Sequence, residues 1–574
     1  MLNLVRRQRR WLGLIALGAL MLSLFTTLTA TRAFADAPPA ASAAASASAA
    51  APPPLPGYFS GANDTTGKPP TWPDPTGGAA GVWATPAGDG KGDVPSTLGP
   101  ADLYDRIAHN MFSINMVWAM VTGFLVMFMQ AGFAMVETGM CRAKNAGHTI
   151  AMNFMIYPLG CLGFWVYGFA FGWGNWFNGP VPPGWYSSLG PGTSVLNQGI
   201  VLAGRYGVLG TKGFCLGSSV ADTAVLGLFF FMMVFMDTTA TIPTGAMAER
   251  WAWKNFVIYG LWIALPYCIY ANWLWGGGWL AQGGVNWHLG HGAVDFAGSG
   301  VVHGMGGIIA LAGAIVIGPR IGKYIDGKSQ VIPAHHIPMA LVGCFILAFG
   351  WFGFNPGSTL SGTDLRIAFI VVNTMLASVA GAFAAMIYLM ARGQKPDPGM
   401  LCNGMLAGLV AITAPCAFVA PWAAVAIGAI AGVVVVVSVG FFDSRGVDDP
   451  VGAISVHGVC GLWGVLSVGV FGNGDYGAGW NGVVRDEFVK QYGSDGVRGI
   501  LYGDASQLAM QAIDCVVLAI FGFAMAYVWF KISNLITPIR VSAETEMAGL
   551  DMPEMGALGY PEFVTKDTAN KTAA

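Results

Sequence analysis

Charge is what this chain has least of. Lysine and arginine number 28 and aspartate and glutamate 30, so charged side chains make up 10% of 574 residues. Ordinary soluble domains carry about 25%. A water-soluble protein of this length could not clothe its surface with so few charges, which excludes a cytosolic globular enzyme. The net charge of −2 points to no nucleic-acid partner. The nine cysteines include no CxxC pair, and most fall in apolar runs. They read as small buried hydrophobes, with neither a disulfide framework nor a metal site. Apolar residues, in contrast, are 54% of the chain and mean hydropathy is +0.57. The 20 Trp, 16 Tyr and 34 Phe need burial or lipid, which excludes disorder along the whole chain. The 82 glycines are about twice the usual share and, in helices, read as close backbone packing within a membrane.

Arg6, Arg7, Arg9 and Arg10 precede an apolar run beginning at Trp11, and Ala33-Phe34-Ala35 offers small residues where a signal peptidase needs them. Residues 1–35 therefore read as a secretory signal peptide, the rival being a retained first membrane helix. Residues 36–104 are rich in Ala, Pro and Gly and cannot build a core. They are expected to be a mostly disordered extracytoplasmic extension.

Apolar runs near twenty residues then recur, the number a hydrocarbon core of ~30 Å requires at ~1.5 Å per residue. Spans are expected near 112–137, 149–173, 221–246, 255–275, 295–318, 337–355, 367–391, 402–418, 421–441, 451–472 and 508–532. The division between the eighth and ninth rests only on Ala420-Pro421. Alternate loops carry the basic residues Arg142 and Lys144, Arg250 and Lys254, Arg320, Lys323 and Lys328, Arg392 and Lys395, then Arg445. The loops between hold few; the last of them mixes Arg485, Lys490 and Arg498 with acids. The basic set is expected inside, the mature N-terminus outside and the C-terminus in the cytoplasm. The membrane domain is 105–533 and the tail 534–574.

Two distant segments share a pattern. Asp295-Phe-Ala-Gly298 is followed by Val302-His303-Gly304 and Gly307, and Asp449-Pro-Val-Gly452 by Val456-His457-Gly458 and Gly461. The loop assignment gives the two segments opposite topology, the mark of inverted-repeat transporters with a midplane site. Eight helical residues rise ~12 Å, so each His would reach mid-membrane from an opposite side and the two could meet. The Asp residues suit cap positions, where a carboxylate accepts orphan amides. Paired imidazoles in hydrocarbon could pass a small polar molecule or a proton. The alternatives are two histidines satisfied by packing, or a haem held between them in a redox enzyme.

These residues resemble the signature of the ammonium transporter (Amt/Mep/Rh) family, Amt branch. So do Val136-Glu-Thr-Gly-Met-Cys-Arg-Ala-Lys-Asn145, Gly245-Ala-Met-Ala-Glu-Arg250, Trp275-Gly-Gly-Gly and Trp351-Phe-Gly-Phe-Asn-Pro-Gly-Ser358. The match runs in order over about 105–560. The resemblance implies an all-α polytopic membrane protein of 11 transmembrane helices with an inverted five-helix pseudo-repeat, a homotrimer with one pore per subunit. It implies an external substrate-binding site of Phe235, Trp275 and Ser358, and a gate of Phe235 and Phe354. Twin pore histidines would be His303 and His457. Asp295 would be the essential acid near the entrance, acting structurally and electrostatically, with Asp449 its counterpart in the second repeat.

Three acids stand out. Asp237 lies two residues past Phe235, where a small uncharged residue is expected in most relatives. Glu137 ends the first span and Asp514 lies early in the eleventh. Each is expected to be hydrogen-bonded, Asp237 by Thr238, Thr239 or Thr241. The tail motif Gly549-Leu-Asp551 with Gly556 and Tyr560 resembles the family's tail, which lies across the neighbouring subunit. Met555 stands where the family has histidine.

The expected function is ammonium transport at the inner membrane by a multi-pass protein that is not an enzyme and needs no cofactor. NH4+ is collected outside and deprotonated, and NH3, with or without a coupled proton, crosses the twin-His pore. The alternative is an ammonium sensor on the same fold; no kinase-like segment after residue 540 favours it. A PII-type signal protein on the cytoplasmic face is implied by the resemblance alone.

Overall fold

The computed structural model describes residues 100–174, 189, 191–196, 198–220, 222–475 and 495–563. The expected signal peptide, residues 36–99 of the extension, and Arg485 and Lys490 lie outside the described residues. Among the described residues, eleven apolar helices carry the fold: α1 (Pro100–Met140), α2 (Ala143–Trp173), α3 (Thr223–Met247), α4 (Trp253–Leu274), α5 (Ser299–Ile317), α6 (Ile337–Thr359), α7 (Arg366–Ala391), α8 (Pro398–Ile412), α9 (Pro421–Ser444), α10 (Ile454–Phe471) and α11 (Ala505–Ile536). Ten are long and apolar enough to cross a membrane; α8, at 15 residues, spans only ~22 Å.

The expected span at 402–418 is therefore displaced. Asp397 caps α8 early, accepting the Met400 amide at 2.9 Å. At the far end Pro415 has no amide to continue the ladder. Residues 413–419 turn instead, and the carbonyls of Thr413 and Ala414 accept the amides of Ala297 and Phe296. The loss of helix in one half thus satisfies the non-helical backbone leading into α5. Helix α1 begins at Pro100, short of the expected boundary at 104, and its 41 residues reach ~60 Å, twice a hydrocarbon core.

Glycine does what its abundance implied. A Cβ on Gly408 or on Gly428 would lie 2.2 Å from the carbonyl oxygen of Ala377, so α8 and α9 both press backbone to backbone against α7. On α11, Gln507 and Gln511 act as a polar zipper along the extended segment before α5. Gln507 Oε1 accepts the His291 amide and Gln511 Oε1 the Val294 amide, both at 2.8 Å. Their Nε2 groups donate to the Gly292 and Val294 carbonyls.

The basic loops gather at one end of the bundle. Arg320 donates to Asp448 through Nε and Nη2 at 2.8 and 2.9 Å and to Glu249 through Nη1 at 2.8 Å, all three residues being buried. Glu249 also pairs with the Arg142 side chain and accepts from Asn145, in a left-handed backbone conformation with φ of 70°. Against the upward push of burial, the Arg250 charge and the Arg320 hydrogen bonds hold the Asp448 carboxyl well below its usual range. Removing one partner of a buried ion pair costs about 3–5 kcal/mol. Arg320→Leu should lower the unfolding temperature in detergent, with Arg320→Lys restoring only part because the fork is lost; an unchanged melt would refute this role.

The tail, which the family resemblance placed across a neighbouring subunit, docks on its own chain at this same end. Glu546 accepts the Ile321 amide at 2.7 Å and pairs with Arg540. Asp551 accepts the amides of Gly147 and His148 at 3.0 and 2.8 Å, at the start of α2, where amides are free and negative charge is favoured. Tyr560 reaches His335 at 2.9 Å. At the opposite end β1 (Gly199–Leu202) and β2 (Tyr206–Gly210) form an antiparallel hairpin, anchored where Trp273 Nε1 donates to the Val208 carbonyl.

Candidate functional site

Six rings from five helices and one helix end form a column through the middle of the bundle. Trp275, at the end of α4, meets Phe235 of α3 edge-on at 6.1 Å. Phe235 stacks on Phe354 of α6 at 4.1 Å between centroids, with planes 23° apart. Phe354 stacks on His303 of α5 at 5.2 Å, and His303 on His457 of α10 at 5.2 Å. Phe133 of α1 lies 6.0 Å beyond His457. All six are buried.

Hydrogen bonds fix the upper part. Trp275 Nε1 donates to the Asp295 carbonyl at 2.8 Å, so the indole cannot turn. Ser358 Oγ donates to the Phe354 carbonyl at 2.7 Å. That commits its proton and leaves its lone pairs to accept. Asp295 is buried and gives all its acceptor capacity to one turn of backbone. Oδ1 accepts from Gly298 and Ser299 and Oδ2 from Gly300 and Val301, at 2.8–2.9 Å. No lone pair of the carboxylate is left over for a molecule in the column. Asp449 does likewise in the second repeat, accepting from Val451, Gly452 and Ile454.

Both histidines sit where the helix widens into a π turn, Ser299–Gly304 and Ile454–Val459, a distortion often found at functional sites. The backbone contact that joins them is reciprocal. A Cβ on Gly307 would lie 2.0 Å from the Gly458 amide nitrogen, and one on Gly461 would lie 2.9 Å from that of Gly304. Position four after one His thus meets position one after the other, in both directions, as a two-fold relation between repeats demands. The imidazoles meet Nδ1 to Nδ1 at 3.2 Å. One ring donates and the other accepts, so the pair shares one proton along that line. His303 Nε2 is buried with no partner among the described residues. A metal between two imidazole nitrogens needs ~2 Å on each side, so a 3.2 Å contact leaves no room for haem iron there.

The structure also places residues to which the sequence reading gave no role. Trp351 stacks on His303 at 5.2 Å and is pinned by Thr413 at 2.9 Å. Phe133 and Asn403 join His457 and Glu137 around a cavity at the tail end of the column. Trp351 opens a quoted motif and Glu137 is a lone acid in a span, so both carried a signal; Phe133 and Asn403 carried none. Asp237 corrects an expectation. Thr238 donates to Val234, Thr239 to Val302 and Thr241 to Asn153. All three hydroxyls turn elsewhere, and Asp237 Oδ1 is buried with no partner among the described residues. At two residues from Phe235 it faces away from the column. Glu137 and Asp514 do find partners, Thr244 and Asn153 for the first and Tyr270 for the second.

Comparison with known proteins bears on this geometry. A family profile described as the Ammonium Transporter Family matches residues 117–560. An ammonium transporter of Archaeoglobus fulgidus, Amt2, is 44% identical over 461 residues, covering 79% of this chain and 90% of that protein. Amt1 of Haloferax mediterranei is 33% identical, covering 79% of this chain and 80% of that protein. Among solved structures, one titled "Sensor Amt Protein" superposes with a TM-score of 0.64 at 33% identity over 78% of this chain and 99% of that one. Mep2 of Candida albicans superposes with a TM-score of 0.63 at 25% identity, covering 80% and 93%.

Proposed function

This chain belongs to the ammonium transporter family, and from that premise we propose that it carries ammonium across a cell membrane along the ring column. The protein is a multi-pass membrane protein and not an enzyme. Ammonium is gathered from outside at Phe235, Trp275 and Ser358. There a cation over aromatic faces gains about 0.5–2 kcal/mol and the Ser358 lone pairs accept one N–H. The Phe235–Phe354 stack excludes hydrated ions, because a wet path past two phenyl rings exposes apolar surface. A bare cation in this column would cost several kcal/mol, so the proton is shed and neutral ammonia passes Phe354 to meet the histidines.

The observation that carries this reading is the histidine pair. A small polar molecule can hydrogen-bond to the unpartnered His303 Nε2 inside walls otherwise built of aromatic rings. The loop charges support a tail face in the cytoplasm and a hairpin outside, with the chain in the inner membrane. A homotrimer with a PII-type partner on the tail face belongs to the same reading.

The test is purified protein in liposomes challenged with an ammonium jump. Wild type should show ammonium-dependent uptake, and His303→Ala should reduce it on the order of tenfold or more. Binding without flux would establish the sensor reading, to which one similar structure's title refers. No response in either assay would sink both.

A further inference from the structure

The ring column ends on a cavity that neither the outer site nor the phenylalanine gate uses. It lies beyond His457 and leaves about 20 Å³ for the centre of a water-sized molecule, enough for one water or one ammonia. Phe133, Val136, Leu347, Leu406 and Val456 are among its apolar walls. Its polar groups are His457, Asn403 and Glu137. The Asn403 amide is committed to the Val451 carbonyl at 3.1 Å.

Glu137 is held in a single pose. Oε2 accepts Asn153 Nδ2 at 2.7 Å and Thr244 Oγ1 at 2.8 Å, from α2 and α3. Glycine at 245 makes room for it, since a Cβ there would lie 3.1 Å from Oε1. Among the described residues it makes no ion pair. The other ionisable groups around it are Asp449, Tyr259 and Cys141, besides His457 across the cavity. A carboxyl within a membrane span, with no cation beside it, is costly to keep and usually lies on a path for protons or ions.

We propose that Glu137 is the proton-exchange group at the cytoplasmic end of the pathway, an inference that rests on the transport reading. The proton shed by ammonium at the outer site travels along the His303–His457 contact. It leaves His457 as an N–H bond breaks, and one water in the cavity hands it on, so that an O–H bond forms on Glu137. Ammonia arriving past His457 takes that proton: the carboxyl O–H breaks, an N–H bond forms, and ammonium leaves a carboxylate behind. The next relayed proton restores the acid. Each cycle moves one nitrogen and one positive charge, and no outside reagent is consumed.

Glu137→Gln keeps the shape and an acceptor for Asn153 and Thr244 but cannot exchange a proton. Glu137→Asp keeps the acid. Both variants and wild type are reconstituted in liposomes. Charge movement is read as current on an ammonium jump, and nitrogen entry as the total ammonia plus ammonium recovered from filtered liposomes, less that of protein-free liposomes. The Gln variant should lose current on the order of tenfold or more while ammonia still enters, and the Asp variant should recover most of the current. Wild-type current in the Gln variant overturns the proposal. So does equal loss of current and entry in both variants with normal gel-filtration profiles, which marks a structural role. Wild type that admits ammonia without current overturns the relay and leaves the transport reading standing. Wild type that does neither removes the transport reading itself.

Discussion

Asp295→Ala is expected to abolish ammonium uptake and to cause the largest loss of stability of any single change at the ring column. The carboxylate accepts four backbone amides within one turn. Alanine leaves all four buried without partners, at roughly 1–3 kcal/mol each, so the total is on the order of 4 kcal/mol or more. The same turn carries the Gly298 carbonyl that receives the His303 amide at 3.0 Å, and the Asp295 carbonyl holds Trp275. Entrance and histidine therefore move together when it loosens. Asp295→Asn, keeping one carbonyl oxygen, should fall between the two. Uptake in liposomes and thermal unfolding in detergent check this. An alanine variant with near-normal melting would show that the amides have another partner.

Gly307→Ala should be nearly as damaging, while Gly458→Ala should be mild, although the two residues face one another. A methyl on Gly307 would meet the Gly458 amide nitrogen at 2.0 Å and its Cα at 2.3 Å. Backbone cannot yield as a side-chain tip can, so α5 and α10 must part. A Cβ on Gly458 would find its nearest atom at 3.3 Å, which a shift of tenths of an ångström relieves. Parting the helices by ~1 Å would stretch the 3.2 Å imidazole contact beyond hydrogen-bond range. Uptake for Gly307→Ala should therefore drop on the order of tenfold or more, and that for Gly458→Ala should stay near wild type. Equal effects in the two variants would refute the asymmetry.

The matched spacing of Asp, His and Gly in the two repeats is enough to pair the histidines, because a repeat of known helical rise puts both rings at one depth. The stacking of Phe235 on Phe354 was reachable only through motif resemblance, since nothing local in a phenylalanine says which ring it will face. Asp237 shows the limit of reasoning from neighbours: three adjacent hydroxyls looked like ready partners, and each is drawn off to an acceptor on its own or another helix. The eighth helix shows the limit of hydropathy. Residues 413–419 are apolar enough to extend it, but Pro415 and the demand of two amides near Asp295 turn them into a bridge.

Membrane residence, the rough position of the apolar helices, the shared face of the basic loops and the paired repeat all followed from the residue string alone. These properties sum over short windows, and each residue contributes without knowing its distant contacts. The register of the ring column, the shared cavity of Glu137 and His457 and the docking of the tail on its own chain depend on residues forty or more positions apart. Such contacts are set by which backbone surfaces can close to within a glycine of each other, a condition that many helices impose jointly and that no single segment records.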